Sequence, residues 1–452
     1  MALTTERSTS TLTLSDINLG DFGSNSTAED GEIEVRISVG DAGALAHLLK
    51  CSLGTGILAM PHAFRNAGIV FGFVITVLIG IVCTHCVHIL VKSSHILCRR
   101  QKIPSLTYAQ TAELAFLSGP PSLQRFSSLS RIFASVMMAL TYFCSLCVYL
   151  VFVATSIKQL ADHYYQEGAA EEDTLNIRFY ILMLAPFVYA LGMITNLKFL
   201  VPFSAAANLL MMTGFAITLY YMFKDIPPVE NHPYIAAADE IPIFFSTVIF
   251  AMEGIGVVMP LENSMKNPSH FLGCPGVLNT SMTVVTFMYT LVGLAGYLKY
   301  GDDTAASITL NLPIGEVLAQ AVKFLIAAAI LLSYGLQVFI PVDIVWASLQ
   351  GLVPERWRYV ALYCFRVIVV SATIAVAVVV PNLGPAISLV GAICFSTLGL
   401  LSPAVIETAT CWEHDLGRWN WLLWKNLLII IFSLMALITG TYKSIIEIIT
   451  AY

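Results

Sequence analysis

The chain has 452 residues, of which 57% are hydrophobic and only 12% charged, with a mean hydropathy of +0.78. A soluble chain carries about a quarter of its residues as charges, so this composition excludes a soluble protein and points to a polytopic membrane protein. A net charge of -6 leaves no basic footprint for nucleic acid.

Residues 1–42 are rich in Ser, Thr, Asp and Glu and contain no apolar signal-peptide core. They are expected to form a disordered cytosolic tail, followed by a transmembrane domain over 43–452. Spans of about 20 apolar residues are expected at 43–65, 68–91, 131–157, 179–195, 199–223, 241–261, 276–299, 315–345, 359–380, 386–406 and 423–442. The expected fold class is therefore all-α, with about eleven transmembrane helices.

Span one contains Gly54-Thr55-Gly56 near its centre, with the ionisable His47 and Lys50 before it and Pro61 after it. In span two, Cys83-Thr84-His85-Cys86 has the look of a metal motif. It lies inside an apolar run without a second ligand pair, so no metal is expected. Most of the ten cysteines fall within apolar spans and read as small hydrophobes rather than a disulfide framework. No cofactor motif is present.

Span six repeats the pattern of span one. Glu253-Gly254-Ile255-Gly256 interrupts it, and Pro260 follows. The two interrupted spans are five apart. Because five is odd, a second set of five spans runs inverted relative to the first. Glycine-interrupted helices at matching places in inverted halves are a sequence pointer to the binding site of a secondary transporter. An unwound turn frees backbone groups that lipid cannot satisfy. The restarting half-helix presents a positive end suited to a carboxylate, and the half that stops presents carbonyls suited to an ammonium. A zwitterionic amino acid matches both. The competing reading of each Gly-x-Gly alone is close helix packing.

Further along, Lys323 in span eight, Arg366 in span nine, and His85 and His88 in span two read as structural, Arg366 by snorkelling to the surface. Pro381-Asn382-Leu383-Gly384-Pro385 breaks the chain between spans nine and ten. Trp412, Trp419, Trp421 and Trp424 mark one membrane interface.

Basic residues set the expected orientation. With the N-terminus in the cytosol, the inward side holds Arg7, Arg36, Lys92, Arg99, Arg100, Lys102, Arg125, Arg131, Lys198, Lys266, Arg356, Arg358, Arg418 and Lys425. The other side holds Arg65, Lys158, Arg178, Lys224, Lys299 and Lys443, beside acidic loops such as Glu171-Glu172-Asp173. This bias follows the positive-inside rule, and an odd span count leaves the C-terminus outside or in a lumen.

The segments HLLKCSLGTGILAMPHAFRNAGIVFG, IFAMEGIGVVMPLENSMKNP, GYLKYG and SITLNLP resemble the proton-coupled amino acid transporters of the amino acid/auxin permease group. The resemblance extends over about residues 40–450. It implies a LeuT-like fold with a 5+5 inverted repeat and one extra helix. It implies symport of small neutral amino acids (glycine, alanine, proline) with protons, at the plasma membrane or the late endosome/lysosome membrane. By position, the proton-coupling histidine of the family falls on His47. The span-one break falls on Gly54, Thr55 and Gly56, and the span-six break on Phe250 to Gly256. Cys51-Ser52 stands where members often have Gly-Asn, a departure that bears on substrate preference.

The expected proton-coupling groups are His47 and Glu253. The expected substrate-binding residues are Gly54, Thr55, Gly56, Phe250, Glu253, Gly254 and Gly256. His47 is alternatively a donor to a helix carbonyl. Glu253 is a proton site, a partner for the substrate ammonium, or an acceptor for freed N–H groups. Two other functions stay open at this point: sodium-coupled amino acid transport on the same fold, and an amino-acid sensor signalling to growth control through its tail. The spans contain no serine–histidine or metal pair to suggest an enzyme. Amino acids, protons and membrane lipids are the expected partners.

Overall fold

The computed structural model describes residues 40–450 apart from 53, 167–174, 196, 225–226, 228–231, 253 and 413–415. Its long apolar runs are helical, because a backbone inside hydrocarbon must satisfy its own N–H and C=O groups. Span one consists of two short helices, α1 (Asp41–Ser52) and α2 (Thr55–Arg65), bent by 51° at the break. Span two is α3 (Ile69–Gln101). A short α4 (Tyr108–Leu117) and a single turn, α5 (Pro121–Gln124), lead into α6 (Ser127–Gln166), which is span three. Spans four and five are α7 (Ile177–Gly192) and α8 (Leu197–Phe223). Span six is again two pieces, α9 (Ile241–Met252) and α10 (Ile255–Ser264). Span seven is α11 (Val277–Tyr300), span eight is α12 (Val317–Gln337) with α13 (Phe339–Leu349), and span nine is α14 (Arg358–Val379). Span ten runs from α15 (Leu383–Val390) through π-helical turns over Gly391–Leu401 into α16 (Ser402–Cys411), and α17 (Trp421–Thr450) is the last.

Among the described residues, nine segments are long and apolar enough to cross a bilayer, and the bent pair α1–α2 makes a tenth. The span expected at 179–195 is the 16-residue apolar helix α7. At 1.5 Å per residue it is about 24 Å long, short of the ≈30 Å of a typical hydrocarbon core. The first helix begins at Asp41, two residues inside the expected tail; residues 1–39 lie outside the described residues.

The π-helical turns of span ten have no counterpart in the sequence reading. There the Ser402 hydroxyl donates to the Thr397 carbonyl five residues back, at 2.9 Å. Gly391 in these turns and Gly440 of α17 both press on Ser246 of α9, where neither site has room for a side chain.

Arg366 does not snorkel as expected. It is buried and donates from one guanidinium nitrogen to the Gly192 and Ile194 carbonyls, each at 2.9 Å, with its charge 4.4 Å from the centre of the Phe339 ring. These carbonyls end α7, where a helix leaves acceptors unpaired and negative. A desolvated cation is best used at such an end. Lys323 is fully buried and donates to the Gln159 amide oxygen at 2.9 Å.

The loops sort to two ends of the bundle, as alternating spans require. At one end His95 pairs with Glu262 at 2.7 Å, and Arg100 donates to the Thr410 carbonyl. At the other, Arg65 donates to the Thr304 carbonyl and Lys443 pairs with Asp239 at 3.0 Å. The Lys443 ammonium, by that hydrogen bond and its charge, holds the exposed Asp239 carboxyl below its ordinary range.

Candidate functional site: two broken helices side by side

The two interrupted spans are neighbours. α2 packs along α9, and α1 packs against α10, so the half-helices run past each other in opposite directions. Their breaks meet. A methyl group placed on Gly254 would lie 3.8 Å from the Ser52 hydroxyl and 3.9 Å from Leu48.

The break of span one is narrower than the sequence suggests. Ser52 ends α1 and Thr55 already opens α2, so Thr55 and Gly56 are helical. Phe250 likewise belongs to α9, and the second break is confined to the two residues between Met252 and Ile255. Glu253, between them, lies outside the described residues. Gly54 and Gly254 are the N-caps of α2 and α10, and neither helix has a side-chain cap. A helix start turns the positive end of its macrodipole toward whatever faces its N-cap.

The glycines divide into two kinds. Among the described residues, Gly54 has only the Cys51 carbonyl within 4 Å of where a Cβ would be, at 3.8 Å, and Gly254 has only ordinary contacts. Gly56 and Gly256 are packing glycines. The first lies against the Ala251 backbone and the second against the Tyr142 hydroxyl. The packing reading of Gly-x-Gly therefore holds for Gly56 and Gly256, while Gly54 and Gly254 are not held by tight contacts among the described residues.

Several residues complete the surroundings without having been expected. The Tyr289 hydroxyl of α11 donates to the Ser52 carbonyl, fixing the end of α1. The hydroxyls of Ser52 and Thr247 are buried with no hydrogen-bond partner among the described residues. The Phe250 ring meets the Phe395 ring edge-on at 5.5 Å. The available sequence signal was a Tyr hydroxyl in the middle of an apolar span, at 142 and 289, because such a group must find a partner in a dry interior. His47 is half-buried on α1 and has no hydrogen-bond partner among the described residues. Lys50, one turn later, reaches toward the Ser204 hydroxyl of α8 at 3.5 Å.

A helical bundle with two adjacent helices broken at mid-span is the architecture of a secondary transporter. The family model described as "Transmembrane amino acid transporter protein" matches residues 37–446, and the chain belongs to this family. It is an integral membrane protein of a family of transporters, not enzymes. It is 44% identical over 413 residues to the "Proton-coupled amino acid transporter-like protein pathetic" of Drosophila melanogaster, covering 91% of this chain and 86% of that protein. It is 26% identical to the "Amino acid transporter AVT3C" of Arabidopsis thaliana, covering 89% of this chain and 90% of the relative. Among solved structures, the inward facing conformation of Mhp1 matches with a TM-score of 0.57 at 13% identity, over 92% of this chain and 90% of that one. The fold is LeuT-like.

Proposed function

We propose that the protein is a symporter of protons and small neutral amino acids, of the glycine, alanine and proline class. The observation that carries this reading is the apposition of two uncapped helix starts at Gly54 and Gly254. Their positive dipole ends suit a carboxylate, and the Ser52 hydroxyl, without a partner among the described residues, suits a second polar group of the same ligand. Phe250 and Phe395 give an apolar surface, and the packing of Gly56 and Gly256 restricts the room, which favours a small side chain. Glu253 is proposed as an ammonium partner or second proton site on its position in the sequence alone.

Coupling to protons is supported by His47, an ionisable ring inside a membrane span without a described partner, and by the name of the Drosophila relative. The N-terminus is assigned to the cytosol from the basic loops, and the membrane is proposed to be that of the cell surface or of late endosomes and lysosomes. The test is uptake of labelled glycine, alanine and proline into proteoliposomes under an imposed pH gradient, with sodium replaced by choline. Acid-driven uptake in choline supports the reading. Uptake that requires sodium and ignores the gradient replaces it with sodium coupling.

A further inference from the structure

A groove of about 870 Å³ runs down the side of the bundle between α3, α11 and the corner of α16 and α17, with no residue of the broken helices in its lining. Its origin is one glycine. A methyl group on Gly80 of α3 would sit 2.7 Å from the Thr286 methyl of α11, so the two helices cross at close range there. Gly80 and Thr286 both line the trough.

The trough has two chemically distinct parts. Over most of its length it is walled by Phe73, Val77 and Ile81 from α3 and by Phe287, Leu291 and Leu294 from α11. Phe73, Ile81 and Phe287 are exposed on the outside of the bundle, where hydrocarbon covers them. At one end the lining changes to His85, His88 and Lys92 of α3, Glu407 of α16 and Lys425 of α17, with Trp421 beside them. From Phe73 to Lys92 the rise along α3 is about 28 Å, close to the ≈30 Å of a hydrocarbon core. Lys92 therefore stands at headgroup level, on the side rich in basic loops.

The charges at the polar end do not cancel. Lys425 is matched by Glu407 at 2.7 Å. Lys92 is exposed and has no hydrogen bond or ion pair among the described residues. The Nε2 of His85 is buried and also lacks a partner among them. With both histidines neutral, the end has a surplus of one positive charge. A zwitterionic or uncharged lipid leaves that surplus unmatched.

We infer that this groove is a binding site for an anionic phospholipid, its headgroup against Lys92 and an acyl chain along Phe73–Ile81 and Phe287–Leu294. The site adjoins the transport machinery through one helix. Thr286 and Thr290 line the groove, and Tyr289 between them reaches the Ser52 carbonyl at the end of α1.

The experiment uses the full chain in nanodiscs of phosphatidylcholine doped with a phosphatidylserine probe that has a diazirine in its acyl chain. Photolysis followed by peptide mapping is expected to place adducts on α3 between Phe73 and Ile81 and on α11 between Phe287 and Leu294. Unlabelled phosphatidylserine should compete at least fivefold better than phosphatidylcholine. Lys92→Gln should remove about fivefold of that preference, the worth of one basic residue at a membrane surface. Ile81→Trp, at an exposed position that tolerates bulk, should fill the trough and abolish labelling there while keeping a monodisperse protein. Equal competition by both lipids, or labelling indifferent to both variants, would mean an ordinary lipid annulus and overturn the assignment. Displacement by cholesterol but not by phosphatidylserine would assign the groove to a sterol and overturn it equally.

Discussion

Gly56 of α2 faces Ala251 of α9 so closely that a methyl group on Gly56 would lie 2.7 Å from the Ala251 α-carbon and 3.2 Å from its carbonyl oxygen. Both obstacles are backbone or next to it, so neither can swing away. Gly56→Ala is therefore expected to push α2 and α9 apart, at the 1–3 kcal/mol typical of overpacking. The check is the melting temperature of the detergent-solubilised protein, which should fall by several degrees. Gly54→Ala has space and should melt like the wild type. Gly54→Leu should also keep its melting temperature yet lose uptake, because its side chain enters the room proposed for substrate. A Gly54→Leu protein with normal uptake would remove Gly54 from the site.

Tyr289 tests the anchoring of the first break. In Tyr289→Phe the Ser52 carbonyl loses the hydroxyl that donates to it. A buried acceptor left without its partner costs about 1–3 kcal/mol. The variant should insert normally but exchange backbone amides around 50–56 faster, which hydrogen–deuterium exchange would read directly. Unchanged exchange there would show that the break is held by other contacts.

Arg366 gives the largest expected loss of stability. Removing it strands the Gly192 and Ile194 carbonyls and the face of Phe339. A buried acceptor left without its donor typically costs about 1–3 kcal/mol, and two are stranded here, so Arg366→Leu should express poorly. Arg366→Lys should recover part of the stability, since one ammonium can serve a carbonyl but lacks the planar guanidinium that lies over the ring. Surface expression of the three proteins, measured together, separates these outcomes.

The exposed ion pair of Asp239 and Lys443 supplies a control for pH experiments. Asp239 is held below its ordinary range by Lys443. A carboxyl with a lowered folded-state pKa contributes its stability above its unfolded pKa of about 3.9 and loses it as pH falls through the folded value. That window lies below pH 4. Asp239→Asn should therefore leave the dependence of uptake on pH between about 5 and 8 unchanged. A shifted profile would give this loop a direct part in proton coupling.

Much of this architecture is readable from the chain because hydrocarbon admits so few backbone solutions. Ten expected spans correspond to described segments that meet the length and hydropathy of a crossing, and the remaining one to the shorter α7. The two breaks are readable because Gly pairs in apolar runs have few uses. What the chain does not reveal is which glycine of each pair is held in tight packing. Gly54 and Gly56 are indistinguishable in sequence, and only the position of Ala251, almost two hundred residues away, makes one a packing glycine. Arg366 fails for the same reason. Snorkelling is the natural reading of a lone cation near a helix end, and the two carbonyls that hold it inside belong to a different span. The π-helical turns of span ten have no local signature either, and the neighbour that Gly391 meets there, Ser246, belongs to a different span.

The coupling prediction concerns His47. It lies on α1 about two turns, or roughly 10 Å, before Gly54, half-buried and without a hydrogen-bond partner among the described residues. A zwitterion moving with one proton transfers one net charge. A potential of about 100 mV supplies roughly 2.3 kcal/mol for that charge, and one pH unit supplies about 1.4 kcal/mol more. Together they support accumulation by roughly several hundredfold, so acid-driven uptake should be large and electrogenic. If His47 holds the proton, His47→Ala should lose both acid stimulation and substrate-evoked current. Exchange of labelled for unlabelled substrate should survive, because Gly54 and Gly254 are untouched. Current recorded between about pH 5 and 8, a range that brackets the titration of an ordinary histidine, decides the matter. A stable His47→Ala protein with an unshifted profile at reduced rate would make His47 a structural residue and transfer the proton to another group, with Glu253 the first to examine by Glu253→Gln.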